Sequence, residues 1–328
     1  MKTIKQVLLA CMLALAAGMA WLAWYAARPL PIVQFPQQFS VTPGTSLTGL
    51  AVLLAKAGIV DHPLAFRILG RVMGKSATIK AGVYTLEAPI TPAELYRKME
   101  RGEVTQAAIR FIEGWNIRDV RAALLASSDL RHDSQAMSDA DLLRAIGARE
   151  TKPEGLFFPD TYFFSPGSSD LDIMRRAYHE AQEKLRKAWE VRAFGLPYQS
   201  PYEALIMASI IEKETAVPEE RPLIAAVFLN RLKLGMRLQT DPSVIYGLGE
   251  RFDGNLRKLD LERDTPYNTY TRKGLPPTPI AMPGQASIQA ALNPAQSSAL
   301  YFVSTGSGFH VFSDNLAEHN QAVNRYQR

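Results

Sequence analysis

The chain has 328 residues, 47 % of them hydrophobic, and a formal net charge of +5. That length allows two or three domains, and that composition excludes a globally disordered chain. The positive excess is spread along the sequence without a Lys/Arg block, so nucleic acid is not expected as a partner, whereas an acidic polymer or an anionic membrane surface would suit it.

Cys11 is the single cysteine, which excludes a disulfide framework and a zinc site of the Cys type. His62, His132, His179, His310 and His319 show no ligand spacing, so neither a metal nor a cofactor is expected.

The N-terminus is a short basic head, with Lys2 and Lys5, followed by an uncharged apolar run from Val7 to Ala27 that Arg28 closes. About 20 apolar residues cross the hydrocarbon core of a bilayer. Trp21, Trp24 and Tyr25 cluster at the far end, where interfacial aromatic belts sit, and the lysines before the span orient the N-terminus to the cytoplasm. A cleaved signal peptide has a shorter apolar core and a small-x-small end, which Trp24-Tyr25-Ala26-Ala27 does not supply. Leu8-Leu9-Ala10-Cys11 is similar to a lipoprotein box but comes too early. An uncleaved anchor, residues 1–28 with the head, is the preferred reading.

Residues 29–38 read as a Pro-containing linker. Residues 39–106 then read as a small α/β unit: a strand at Phe39–Val41, a helix at Leu47–Ala57 capped by Ser46 and ended by Gly58, and a helix at Pro63–Val72. A strand at Lys80–Leu86 follows, and Thr91-Pro92-Ala93-Glu94 opens another helix. Beyond it, residues 107–113 suggest a strand, and 116–126 and 138–148 suggest helices joined by an exposed connection at 127–135.

Residues 153–164 combine five aromatics with Glu154 and Asp160. They suggest either a platform on which sugar rings stack or, preferred on physical grounds, a core-lining loop. A long charged helix is expected over 172–194.

Residues 204–215, Ala-Leu-Ile-Met-Ala-Ser-Ile-Ile-Glu-Lys-Glu-Thr, organise the rest. Apolar side chains cover almost the whole circumference from Leu205 to Ile211, the mark of a buried helix. Glu212 falls on the side of Leu205, Ala208 and Ser209. A carboxyl among apolar groups is expected to hold its proton more tightly, as a general acid near neutral pH must. The alternative, at even weight, is a helix-end carboxylate solvated or paired with Lys213. Glu214, two residues on, faces elsewhere.

A helix is expected over 219–234 with Pro222 in its first turn. Asp241 before Pro242 has the grammar of a helix cap, so its structural role competes with a catalytic one. Residues 267–270 and the Pro-rich stretch 274–284 cannot be regular, and long ordered loops of this kind line sites. A hairpin over 300–313 and a closing helix over 315–326 end the chain.

Taken in order, several segments resemble the endolytic murein transglycosylase, or YceG-like, family. They are Glu154-Gly155 with 158–162; 208–215; Asn230-Arg231-Leu232; 238–242; Tyr246-Gly247; 266–270; 274–280; 310–313; and His319-Asn320. The resemblance spans nearly the whole chain and rests on their joint order.

It implies an α+β protein with an N-terminal transmembrane helix, a LysM-like subdomain at 39–106 and a larger mixed α+β catalytic domain at 107–328. It further implies attachment to the inner membrane with the catalytic domain periplasmic, peptidoglycan glycan strands as substrate, and peptidoglycan synthases as candidate partners. The family cuts nascent strands between N-acetylmuramic acid and N-acetylglucosamine and leaves a 1,6-anhydro end; its catalytic glutamate falls on Glu212. Gln239, Asp241, Tyr246, Asn268 and Tyr270 are then candidates to bind sugar or orient Glu212, with Asp160, Thr161 and Tyr162 as another wall of the groove. The competing functions are a hydrolase of the same polymer, with Asp241 or Asp160 positioning water, and a wall-binding scaffold without catalysis.

Overall fold

The computed structural model describes residues 2–74 and 79–327. The fold is mixed α+β and falls into two compact units, one of residues 1–107 with 163–166, the other of 108–162 with 167–328.

The first unit begins with helix α1 (Lys2–Ala27), long and apolar enough to cross a membrane. Its end differs from an aromatic belt. Trp21 and Trp24 are exposed, but Tyr25 is wholly buried in the core of the unit with Leu30, and it stacks on Trp21. The stretch expected as a linker is therefore docked: the Leu30 N–H donates to the Ile90 carbonyl at 2.9 Å.

Strand β1 (Gln37–Val41), helices α2 (Leu47–Lys56) and α3 (Pro63–Val72), strand β2 (Gly82–Leu86) and helix α4 (Pro92–Arg101) follow. The two strands pair antiparallel, from Gln37 opposite Leu86 to Val41 opposite Gly82. Local chemistry sets the helix starts. The Ser46 hydroxyl accepts from the Gly49 N–H, and Thr91 with Glu94 closes a capping box. Leu50 and Leu54 of α2, Phe66 of α3, Tyr84 of β2 and Leu95 and Tyr96 of α4 form the core. Each such side chain contributes about 1.5–3 kcal/mol by leaving water.

The chain continues through β3 (Ala107–Arg110), α5 (Ile117–Ala126), β4 (Leu130–Arg131), α6 (Asp139–Ile146), β5 (Thr161–Phe164), β6 (Ser168–Ser169) and α7 (Asp170–Glu190). It continues with α8 (Pro201–Glu214), α9 (Arg221–Lys233), α10 (Asp241–Leu248), α11 (Lys258–Glu262), α12 (Gln285–Leu292), the hairpin β7 (Tyr301–Ser304) and β8 (His310–Ser313), and α13 (Leu316–Tyr326).

Helix α8 is the axis: it packs against α7, α9, α10 and α12, and every residue from Ala204 to Ile211 is buried. The strand expected over 107–113 stops at Arg110, which frees 111–116 as a loop. The connection 127–135 is not simply exposed, because β4 pairs with β6 and the buried Ser134 N–H and hydroxyl donate to the buried Asp170 carboxylate. The aromatics of 153–164 are mostly core: Phe157, Phe158, Tyr162 and Phe164 are buried, and Phe163 alone is exposed. The core-lining reading holds, and the stacking platform is corrected.

Candidate active site

Helix α8 delivers Glu212 to its C-terminal end with the side chain only 6 % exposed. The surroundings are not purely apolar, which corrects the expectation. Glu212 Oε2 accepts the Gly284 N–H at 2.9 Å, and Arg221 Nη2 stands 3.6 Å from Oε1. Lys213 is not its partner; the ammonium turns to the Gly114 carbonyl at 3.2 Å.

Two loops are fastened together around this carboxylate. The Gly114 N–H donates to the Met282 carbonyl at 2.9 Å, and the Met282 N–H donates to the Trp115 carbonyl at 2.6 Å. Gly114 has φ +79°, a left-handed value that glycine adopts at little cost, and a Cβ there would stand 4.0 Å from Glu212 Cγ. Inside α8, the buried Ser209 hydroxyl donates to the Ile206 carbonyl and accepts the Ile280 N–H at 3.0 Å. The Pro-rich stretch 274–284 is thus irregular, as expected, and is pinned to α8 at two points. A cleft of about 540 Å³ adjoins it, lined by Lys187, Arg221, Pro222, Gln285, Gln289 and Asn293.

Glu214 faces away from Glu212 into a second network. Its carboxylate accepts the Thr240 hydroxyl in a short hydrogen bond. Burial pushes its carboxyl up to about 7; the Thr240 hydroxyl, His310 and Arg231 oppose that rise, and Asp241 adds to it. His310 is held by Glu220, with Nδ1 2.7 Å from Oε2 and the His310 N–H on Oε1 at 2.7 Å. A third buried carboxyl, Glu154, is also pushed up to about 7 by burial, against the Ile117 N–H at 3.2 Å and the Tyr246 hydroxyl at 3.1 Å.

The expected sugar-binding residues divide. Gln239 is exposed and has φ +54°, the only non-glycine in the left-handed region among the described residues. Strain of that kind costs about 1–3 kcal/mol and marks functional loops; the Thr269 carbonyl holds the Gln239 N–H at 3.1 Å. Asp241 is exposed and accepts the Tyr270 hydroxyl. It is not the cap of α10, because that position belongs to Thr240, whose hydroxyl is given to Glu214.

Tyr246 is tied to Glu154 rather than to Glu212. Asn268 is buried, and its amide N–H groups go to the carbonyls of Asp260, Leu261 and Arg263 while its Oδ1 accepts the Tyr270 N–H. It organises its loop and has no free face for sugar. Tyr162 is likewise a core residue, its hydroxyl donating to the Phe158 carbonyl at 2.7 Å. Asp160 and Thr161 are exposed, and among the described residues no hydrogen bond or ion pair joins them to Glu212. Sequence reasoning missed Arg221, Gly284 and Thr240, whose links to Glu212 and Glu214 come from distant parts of the chain and leave no local signal.

The profile of the YceG-like family matches residues 39–325. An endolytic murein transglycosylase of Bacillus subtilis is 33 % identical over 312 residues, which cover 88 % of this chain and 84 % of that protein. One from Streptococcus pneumoniae is 26 % identical over 85 % of this chain and 56 % of its own length, so the chain spans about half of that relative. The crystal structure of a yceG-like protein from Listeria monocytogenes is similar to 87 % of this chain and 98 % of its own, at a TM-score of 0.53 and 28 % identity.

Proposed function

We propose that this chain, which belongs to the YceG-like family, is an endolytic murein transglycosylase that cuts peptidoglycan glycan strands internally. One observation carries the reading beyond the relatives' names: a nearly buried Glu212, held by an N–H and a guanidinium, beside an open cleft lined by amides. Amide side chains suit N-acetylated sugars, and the cleft volume falls in the usual range for ligand sites.

In the reaction a single carboxyl works twice. Glu212 gives its proton to the glycosidic oxygen as the bond from the N-acetylmuramic acid C1 to that oxygen breaks. The carboxylate so formed takes the proton of the C6 hydroxyl, whose oxygen bonds C1 and closes the 1,6-anhydro ring. No water is consumed, and Glu212 ends as it began. The Gly284 N–H and Arg221 face the carboxylate that exists between the two steps, and because the fold fixes them in advance they need no reorganisation. Gln239, Asp241 and Tyr270 are placed in the groove wall on this reading.

The N-terminal helix anchors the chain in the inner membrane, with its N-terminus cytoplasmic and the rest periplasmic. Residues 39–106 act as a LysM-like module that holds glycan. A cleft of about 690 Å³ in that unit, lined by Thr85, Glu87, Arg97, Lys98, Arg101 and Thr105, supports this role. Peptidoglycan synthases are the proposed neighbours at the wall.

The test is Glu212→Gln, with mass spectrometry of products from purified glycan strands. The expected loss is about 10²–10⁴-fold, and the wild-type product ends in an anhydro ring. A reducing end instead would make the enzyme a hydrolase, and full activity in Glu212→Gln would remove the acid from Glu212.

A further inference from the structure

Gly284 has φ −74° and ψ 171°, values open to any residue, so its backbone does not call for glycine. Space does. A Cβ at this position would stand 1.9 Å from Oε1 of Glu113 and 2.3 Å from its Cδ. The carboxylate of Glu113 therefore lies against the Cα of the residue whose N–H holds Glu212. Standard backbone dimensions then bring the two carboxylates within about 7 Å of each other.

This placement is fixed from both sides. Gly114 follows Glu113 and is clamped to Met282 and Lys213, on the loop and the helix that carry Gly284 and Glu212. Glu113 is exposed, and among the described residues no hydrogen bond or salt bridge holds it. Arg221 offsets the charge of Glu212, whereas Glu113 has no such partner among the described residues, so its charge favours a positive group beside it. Independently, the buried Nε of Arg221 has no partner among the described residues, a second sign that the site is completed by a ligand.

We propose that Glu113 is a second carboxylate of the active site, facing the positive charge that develops at the anomeric carbon as the glycosidic bond breaks. The inference rests on the reading of Glu212 as the acid. Glu113 takes no proton in either step; both transfers remain with Glu212. Its charge stabilises the oxocarbenium-like transition state and does little for the neutral bound strand, so it acts on kcat rather than KM.

The experiment uses the full-length protein in detergent with purified glycan strands. It compares Glu212→Gln, Glu113→Gln, Glu113→Ala, Gly284→Ala and the double variant Glu113→Ala with Gly284→Ala. Glu113→Gln is expected to lose about 10²-fold in kcat, with KM within about twofold, an unchanged melting temperature and an anhydro product. Gly284→Ala keeps its N–H but pushes the Glu113 carboxylate aside, so it should lose kcat alone yet add almost nothing to Glu113→Ala.

Wild-type kcat in Glu113→Gln, or full additivity in the double variant, overturns the proposal. If Glu212→Gln is inactive while Glu113→Gln is fully active, only this inference fails. If Glu212→Gln is active, the reading beneath it fails as well.

Discussion

Arg221 Nη2 stands 3.6 Å from Glu212 Oε1, at the start of one helix and the end of another, with both side chains nearly buried. A buried carboxylate left without its partner is costly, and a guanidinium and an ammonium fill such a site differently.

Arg221→Lys should keep the fold and lose about tenfold in kcat, because the point charge of lysine cannot reproduce the planar fork. Arg221→Met should also destabilise the protein, by up to about 3 kcal/mol, because the nearly buried Glu212 then loses the positive charge that faces it. Melting curves and initial rates on the same preparations check both. An Arg221→Met variant that melts like the wild type would show that the pair contributes nothing to stability.

Two buried carboxyls make stability depend on pH. Burial raises Glu154 and Glu214 from 4.5 to about 7, so between those values the folded chain holds protons that the unfolded chain has released. Their contribution is complete below the ordinary carboxyl range and is lost as pH rises through about 7. Each group is worth up to about 3 kcal/mol over that interval. Urea unfolding at pH 5, 6, 7 and 8 should show falling stability, and Glu154→Gln or Glu214→Gln should flatten the slope. A wild type equally stable at pH 5 and pH 8 would contradict this origin.

Glycine positions give a matched pair. Gly147 and Gly155 have φ +80° and φ +77°. A Cβ at Gly147 meets nothing within 4 Å, whereas one at Gly155 would stand 2.3 Å from Pro279 Cβ. Gly147→Ala should cost about 1–2 kcal/mol, the left-handed strain alone. Gly155→Ala should cost about 1–3 kcal/mol more, because Pro279 is rigid and lies in the loop that carries Gly284. Chemical denaturation followed by circular dichroism separates the two; equal losses would mean that the loop yields freely.

What could be read in advance was local. Ser46 caps through the Gly49 N–H and Thr91 through Glu94, each within three residues, so the grammar of neighbours suffices. The apolar circumference of 204–211 likewise announced a buried helix before any partner was known. The site was half legible, because its carboxyl sits on that helix but its partners come from afar: Gly284 is 72 residues away. Asp241 misled as a cap because Asp-Pro looks alike whether or not a distant Glu214 has taken the hydroxyl of Thr240. Asn268 misled for a related reason, since an amide that binds sugar and one that binds three loop carbonyls are the same letter.

The last prediction concerns where the anchor ends and the folded unit begins. Tyr25 is wholly buried with Leu30, and Leu22 and Ala26 pack against the same core. The final turns of α1 therefore belong to the small unit as well as to the span. A chain starting at Ala20 keeps these contacts, whereas one starting at Pro29 loses them. Removal of a large buried aromatic typically costs about 3–5 kcal/mol. The shorter chain should therefore show an earlier unfolding transition, and amide exchange should rise in α3 and α4, which pack on α1. The transition of the second unit should move little, since its core lies in α8 and its neighbours. Tyr25→Ala in the longer chain should reproduce most of the loss. If chains starting at Ala20 and Pro29 unfold alike, the end of α1 is an anchor only and its burial adds no stability.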